Sequence, residues 1–392
     1  MRSYDVVIVG GGVMGAATAY FLAANPDFGG RVAVIERDTT YARAATALSA
    51  SSIRQQFSTA VNIEMSKFGI DFLRGVGRTL ALADDRPRVD LHEGGYLYLA
   101  TQAGIADLAR NVALQQAHGV PVALMTPEDL SRRFPWLAAH DLAGGAMTRG
   151  GEGWFDAYSL LTAFRNKAWA LGVEEIRAEV ASVIGGRGAE VAGVVLSDGE
   201  RIGARWVVNA AGTGAPALAA WVGVVLPVVR RKRCVFFFKC REPIEACPMV
   251  IDPSGLYFRP EGAGFIAGLP PEPDPDVAAD DFDVDFDLFD DRIWPLLAGR
   301  VPQFEAVRRI EAWAGHYDYN TADQNALVGP ASPGSNLLVA CGFSGHGLQQ
   351  APAVGRGLSE LIVHGEYRSL DLSDLACSRW REGRRLREAN II

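Results

Sequence analysis

Gly10, Gly12 and Gly15 stand at the spacing G-x-G-x-x-G within VVIVGGGVMGAATAYF (6–21), and Glu36 lies in the next apolar run, RVAVIER. Each type has a task at that spacing. One glycine permits a tight turn, one lets backbone approach a pyrophosphate, and one lets a helix pack closely on a strand. A carboxylate about 20 residues further on accepts hydrogen bonds from ribose hydroxyls. The chemistry is capture of a dinucleotide, its phosphates facing the free N–H groups and positive end of a helix. Glu36 repels a 2′-phosphate, which disfavours an NADP-type ligand and leaves FAD and NAD open. The competing reading of the stretch as an export signal fails, because Asp5 precedes the apolar run and Gly10, Gly11 and Gly12 interrupt it. Without that signal the expectation is a cytoplasmic protein.

Two more stretches carry the same kind of chemistry. VVNAAG ends at Ala211 and Gly212, a second close-approach turn of small residues at a strand's C-terminal edge, where ligands of open parallel sheets bind. In CGFSGHGLQQAP, Gly342, Gly345 and Gly347 keep side chains away from a large flat group, and the helix that follows points its positive end at the same place. A flavin gains from this, because its reduced form carries negative charge that donors stabilise, whereas a nicotinamide ring gains no negative charge on reduction. His346 either hydrogen-bonds the cofactor or packs within the turn.

The elements that must hold these residues follow from pattern. Tyr4 to Val9 reads as a buried central strand. The polar loop TALSASSIRQQFS precedes a helix in NIEMSKFGIDFLRGV. VDLHEGGYLYLAT alternates like a strand pair, and DLARNVALQQAHGV reads as a helix ended by Gly119. DAYSLLTAFRNKAWALGV is a helix capped by Asp156 and ended by Gly172. A hairpin turning at Asp198 and Gly199 then feeds the buried strand that ends in Asn209. Strand-like RCVFFFKC, SGLYFRP and GFIAGLP follow, and NLLVAC returns to a buried strand. The expected fold class is α/β (α+β overall): a Rossmann-like parallel-sheet domain from 1–87, 150–225 and 326–392, and an inserted, mainly antiparallel substrate domain from 88–149 and 226–325.

Composition bounds the partners. A chain of 392 residues exceeds what one core usually holds. Net charge is −8 with no basic cluster, so nucleic acid is not an expected partner. No apolar run reaches the roughly 18 residues of a membrane span. Five cysteines without C-x-x-C spacing offer no zinc site, and no metal is expected. The acidic stretch DPDVAADDFDVDFDLFDD (274–291) reads as a solvated loop leading into a helix, with partner docking as the alternative.

VVIVGGGVMG with Glu36, VVNAAG and GFSGHGLQQAPAVGR, in that order, resemble the D-amino-acid oxidase superfamily of FAD-dependent oxidoreductases, which includes glycine oxidase, sarcosine oxidase and dimethylglycine dehydrogenase. SSIRQQFST with NIEMSKFG, GWFDAYSLL and RVPQFEAVRRIEAWAGHYDYNTADQNALVGP resemble the branch that holds a mitochondrial oxidoreductase-domain protein linked to complex I assembly. The resemblance implies FAD with its adenine end at Gly10 to Gly15, Glu36 and the backbone near Val180, and its ring near Ser51, Ser52 and Gly345 to Leu348. Val13, Met14, Arg37 and Ser49 complete the cofactor set. The cysteine that carries flavin covalently in sarcosine oxidases is matched by Gly315, so non-covalent FAD is expected.

The resemblance also implies a substrate side. Arg54 in SIRQQF matches a carboxylate-binding arginine, and a guanidinium suits bidentate capture. Tyr257 matches a pocket tyrosine, and Tyr317 and Tyr319 are further candidates. Two departures stand out: Ile266 replaces the lysine that promotes reaction with oxygen, and Gln349 replaces a second carboxylate-binding lysine. Three readings follow. The first is an FAD enzyme that oxidises an amine or amino acid and passes electrons to oxygen, a quinone or a carrier protein. The second is a flavoprotein with mainly an assembly role, and the third an NAD-binding oxidoreductase.

Overall fold

The computed structural model describes residues 1–185 and 190–390. From the N-terminus come β1 (Arg2–Val9), α1 (Val13–Ala23), β2 (Val32–Glu36), β3 (Ser52–Ile53), α2 (Ala60–Thr79), β4 (Tyr96–Ala100), α3 (Ile105–Ala117), β5 (Val122–Met125), α4 (Pro127–Arg133) and β6 (Gly144–Thr148). The middle holds β7 (Gly153–Trp154), α5 (Ala157–Ala170), β8 (Glu174–Arg177), β9 (Val180–Gly185), β10 (Val191–Leu196), β11 (Arg201–Asn209) and α6 (Ala215–Trp221). The rest is β12 (Val228–Cys240), β13 (Met249–Ile251), β14 (Tyr257–Glu261), β15 (Gly264–Gly268), α7 (Trp294–Arg300), β16 (Val307–Asn320), β17 (Leu327–Pro330), β18 (Leu337–Cys341), α8 (Gly347–His364) and α9 (Ser378–Arg381).

Val6 to Val9 are buried because β1 is a central strand, flanked by β2 and β11 in parallel with Val7 opposite both Ala33 and Val207. Among the described residues the sheet order is β17-β18-β11-β1-β2-β8, with β10 and β9 added antiparallel at β11. Helices α1, α2, α5 and α8 cover one face, packing Ala17, Phe72, Leu160, Phe164, Val354 and Leu358 against Ile8 of β1. Close approach here needs glycine at 355, where a Cβ would press on the Ala17 and Thr18 backbone.

The second sheet runs β16-β12-β15-β14-β13-β4-β6-β5 and is antiparallel except for the parallel pair β13 and β4. One face is a phenylalanine core of Phe236, Phe238, Phe258, Phe265 and Phe304. The other carries Tyr96, Tyr98, Met249 and Ile251 beneath Phe57 and Ile63.

One expectation changes. VDLHEGGYLYLAT forms one strand, β4, and not a pair. Gly95 takes a left-handed turn (φ +87°), and the segment before it makes a bridge from His92 to Trp154. The acidic stretch is the expected mostly exposed loop leading into a helix, but it is tied down. Asp274 pairs with Arg233 at 2.8 Å, Asp276 with Arg231 at 2.9 Å and Asp281 with Lys232 at 2.6 Å, which straps the chain along β12 before the helical turn at Leu288–Ile293. Other expectations hold. Asp156 caps α5 by accepting from the Ser159 amide at 2.9 Å, and Gly119 and Gly172 take left-handed conformations just past α3 and α5. No helix among the described residues is long and apolar enough to cross a membrane.

Candidate active site

The C-terminal edges of β1, β2 and β11 bring Gly10, Glu36 and Ala211 together. A Cβ at Gly10 (φ +100°) would collide with the Ala210 carbonyl, and one at Gly15 with the Gly10 carbonyl. At Gly12 an added Cβ would meet only Thr46 Oγ1 at 3.5 Å, so the backbone there is bare on the side that faces outward from the turn. Gly12 gives α1 no side-chain cap, Thr46 Oγ1 accepts from the Val13 amide at 3.1 Å, and no acid stands in the first turn at Met14. Glu36 accepts from the Gly11 and Asp38 amides, both at 2.8 Å, which holds its carboxylate at the strand end. Bare backbone, the remaining free donors at the start of α1 and a fixed carboxylate fit a dinucleotide's pyrophosphate and ribose.

Arg37 points outward and makes an exposed pair with Glu179 at 3.7 Å. Val180 starts β9 opposite Leu196, just after Arg177, which pairs with Glu36 across the sheet. Gly212 (φ +54°) starts the turn after β11 and has nothing near its Cβ position. Gly342 (φ +72°) faces Val228 at 2.9 Å, and Gly347 faces the Phe343 ring at 3.0 Å. At these two positions the protein's own packing already requires glycine. Gly345 is left-handed (φ +91°), and Leu348 lies in the first turn of α8. Buried Asp318 accepts from the Gly342 amide at 2.5 Å, and burial pushes its carboxyl up to about 6.

Ser49 Oγ accepts from the Ser51 amide at 3.0 Å, with Ser51 itself left-handed (φ +56°). Arg259 clamps this loop by donating to the Ala50 carbonyl at 2.7 Å and 3.1 Å. Ser52 contacts the Tyr96 hydroxyl.

The loop then delivers Arg54, which is 2% exposed. Its amide donates to Gln349 Oε1 at 2.9 Å, one guanidinium nitrogen lies 3.1 Å from His346 Nε2, and the group stacks on Phe57 at 4.5 Å and Tyr98 at 5.9 Å. Burial and the Arg54 cation hold His346 well below the usual histidine range, so it is neutral, and Nε2 accepts from Arg54. Among the described residues no carboxylate forms an ion pair with Arg54, and Arg54 Nε and the buried Tyr98 hydroxyl have no hydrogen-bond partner. The same nitrogen that faces His346 also contacts the Asn390 carbonyl.

Arg54, His346 and Gln349 are thus brought together. Tyr257 joins the same aromatic face with Tyr96 and Tyr98, its ring over Gly268, its hydroxyl pushed up to about 12 by burial. Tyr317 lies under Arg233 at 4.8 Å and beside Tyr319. Ile266 is buried between Phe237 and Arg259 across β15. Position 315 has no room for a side chain, because a Cβ would come 2.9 Å from that of Leu48.

Several contributors escaped the sequence reading. Tyr98 was legible in YLYLA, since period two puts it on the same face as Tyr96. Glu152, an acid between two glycines, is wholly buried and accepts from the Gln55 amide (2.6 Å), the Gln56 amide (3.1 Å), Gln56 Nε2 (2.8 Å) and Thr148 Oγ1 (2.9 Å). It thereby fixes the two residues after Arg54. Nothing local marked Thr46 or Glu388.

Residues 5–361 match the family model described as "FAD dependent oxidoreductase" (DAO). The chain is 41% identical over 428 residues to FAD-dependent oxidoreductase domain-containing protein 1 of Xenopus laevis, covering 99% of this chain and 85% of that protein. Among solved structures, L-proline dehydrogenase from P. horikoshii superposes with a TM-score of 0.86 at 25% identity, over 98% of this chain and 100% of the other. Glycine oxidase from Geobacillus kaustophilus does so with 0.81 at 24% identity, over 97% and 99%, a likeness of fold.

Proposed function

The chain belongs to the DAO family of FAD-dependent oxidoreductases, and from that premise we propose that it oxidises the C–N bond of an amine bearing a carboxylate, an N-substituted, glycine-like or D-amino acid. The observation that carries this reading is Arg54: a buried guanidinium with no acid in ion-pair reach among the described residues and an unpartnered Nε. A buried charge needs a counter-charge, and a carboxylated substrate supplies one.

Bound FAD would accept a hydride from the carbon next to nitrogen. The chain's own residues do the rest. The glycine cradle, Glu36 and the loop from Ser49 to Ser52 hold the cofactor. Arg54 fixes the substrate by its carboxylate, and Gln349 and Glu152 fix Arg54 and the residues that follow it. His346 stays neutral and accepts from Arg54, so it leaves the positive charge in place and does not compete for the anion. Phe57, Tyr96, Tyr98 and Tyr257 form an apolar wall that excludes water. The lack of room at position 315 supports non-covalent FAD, which acid precipitation of the holoprotein should release into the supernatant.

A dehydrogenase that passes electrons to a quinone or carrier protein is the second reading, favoured by buried Ile266, which brings no charge. Asp274, Asp276 and Asp281 of the acidic stretch are engaged by β12 and so are less available to a partner. Anaerobic reduction of the flavin by a panel of N-methyl, cyclic and D-amino acids, followed by oxygen, tests substrate class and acceptor together. Bleaching by a carboxylated amine with slow reoxidation in air is the expected outcome, and a flavin that no panel member bleaches contradicts the proposal.

A further inference from the structure

The segment after the left-handed turn at Gly383 (φ +72°) has no secondary structure of its own, yet Glu388 within it is wholly buried. Its carboxylate accepts from the Ser58 amide at 2.8 Å, Ser58 Oγ at 2.6 Å, Thr59 Oγ1 at 2.8 Å and Asn62 Nδ2 at 3.1 Å, at the positive N-terminal end of α2. Upstream, Leu386 donates its amide to Asp323 at 3.0 Å, and Asp323 is itself held by Arg379 at 2.9 Å. Downstream, Asn390 donates to the Gln56 carbonyl at 3.1 Å, accepts from Asn111 at 3.1 Å, and places its main-chain carbonyl on the Arg54 guanidinium.

We propose that residues 386–390 are a built-in occupant of the Arg54 anion site, in which the Asn390 carbonyl stands where a ligand carboxylate would bind and is displaced by it. This rests on reading Arg54 as the anion site. The partners differ in strength: a neutral carbonyl offers the guanidinium an acceptor but no counter-charge, whereas a carboxylate brings the opposite charge and can accept two parallel bonds. The strap is also built to yield at that point. It is rooted by Arg379, Asp323 and Glu388, whereas Asn390 is held by a few polar contacts that water can replace.

The test uses FAD-loaded protein and two carboxylates with no C–N bond to oxidise, methoxyacetate and benzoate, followed by perturbation of the flavin's visible spectrum. Deleting Asn390 and the residues after it should tighten their binding, by about tenfold where the closed state holds roughly nine-tenths of the molecules. In full-length protein the same carboxylates should raise hydrogen–deuterium exchange across 386–390 and leave exchange in α9 unchanged. Unchanged or weaker binding in the deletion variant, or unchanged exchange in the strap, overturns the proposal while leaving Arg54 as the anion site. If instead Arg54→Met binds these carboxylates as tightly as the natural chain, the reading of Arg54 fails and the proposal with it. Glu388→Gln, which loosens the root without shortening the chain, should shift affinity in the same direction as the deletion.

Discussion

The glycine cradle and the Arg54 pocket are built by opposite means. In the cradle the working surface is backbone: Gly10 and Gly15 exist to let main chain touch main chain, and Gly12 exists to leave main chain bare. In the pocket the working surface is side chains delivered by unrelated segments: Arg54 and Phe57 from a loop, Tyr98 from β4, His346 and Gln349 from the start of α8, and Asn390 from the far end of the chain. A backbone device leaves little room for side chains, since a Cβ at Gly10 or Gly15 would run into main-chain carbonyls. A side-chain device can be rebuilt one residue at a time.

Substitution can sharpen this contrast. The largest effect is expected at Gly15→Ala, where the new Cβ overlaps the Gly10 carbonyl. A loss of about 3 kcal/mol by thermal or urea unfolding and protein isolated without flavin are expected. Gly12→Ala separates binding from folding. Its Cβ meets only Thr46 Oγ1, so the apoprotein should unfold as the natural chain does while flavin content falls.

Arg54→Met comes next. It should retain flavin but weaken a carboxylated substrate by about 3 kcal/mol, read as a rise in KM of about a hundredfold. An equal loss on an uncharged amine would instead mark Arg54 as a scaffold residue.

An effect of similar size, but confined to a pH window, is expected at Asp318. Its carboxyl titrates near 6 in the folded chain against an ordinary value of 3.8, so the folded state holds the proton more tightly than the unfolded one. Stability from this group is present at the acid end, falls as pH rises from about 4 to 6, and levels off above that. Asp318→Asn should flatten that slope by on the order of 3 kcal/mol in denaturation curves taken across the range. Arg37→Ala should do least, changing stability by under about 0.5 kcal/mol, since its ion pair with Glu179 is exposed.

The contrast also explains what could be read from sequence. Gly10, Gly12, Gly15 and Glu36 were legible because steric and hydrogen-bonding needs of a phosphate turn act over a fixed local spacing. The parallel sheet was legible because a strand buried on both faces, such as β1, reads as a continuous apolar run. Arg54 could be named by resemblance, but not its setting. That His346, Gln349 and Asn390 converge on it depends on contacts nearly 300 residues or more apart in sequence, and no period or spacing encodes those. The partners of the acidic stretch were hidden for the same reason. The exposed loop could be read locally, but not that β12 sets Arg231, Lys232 and Arg233 against three of its acids.

Arg54 as the carboxylate anchor of an amine-oxidising flavoprotein is tested most directly by anaerobic flavin reduction with an amino acid and with its methyl ester, in the natural chain and in Arg54→Met. Fast bleaching by the acid and little by the ester is expected in the natural chain, with the difference lost in the variant. Equal bleaching by acid and ester in the natural chain would contradict it.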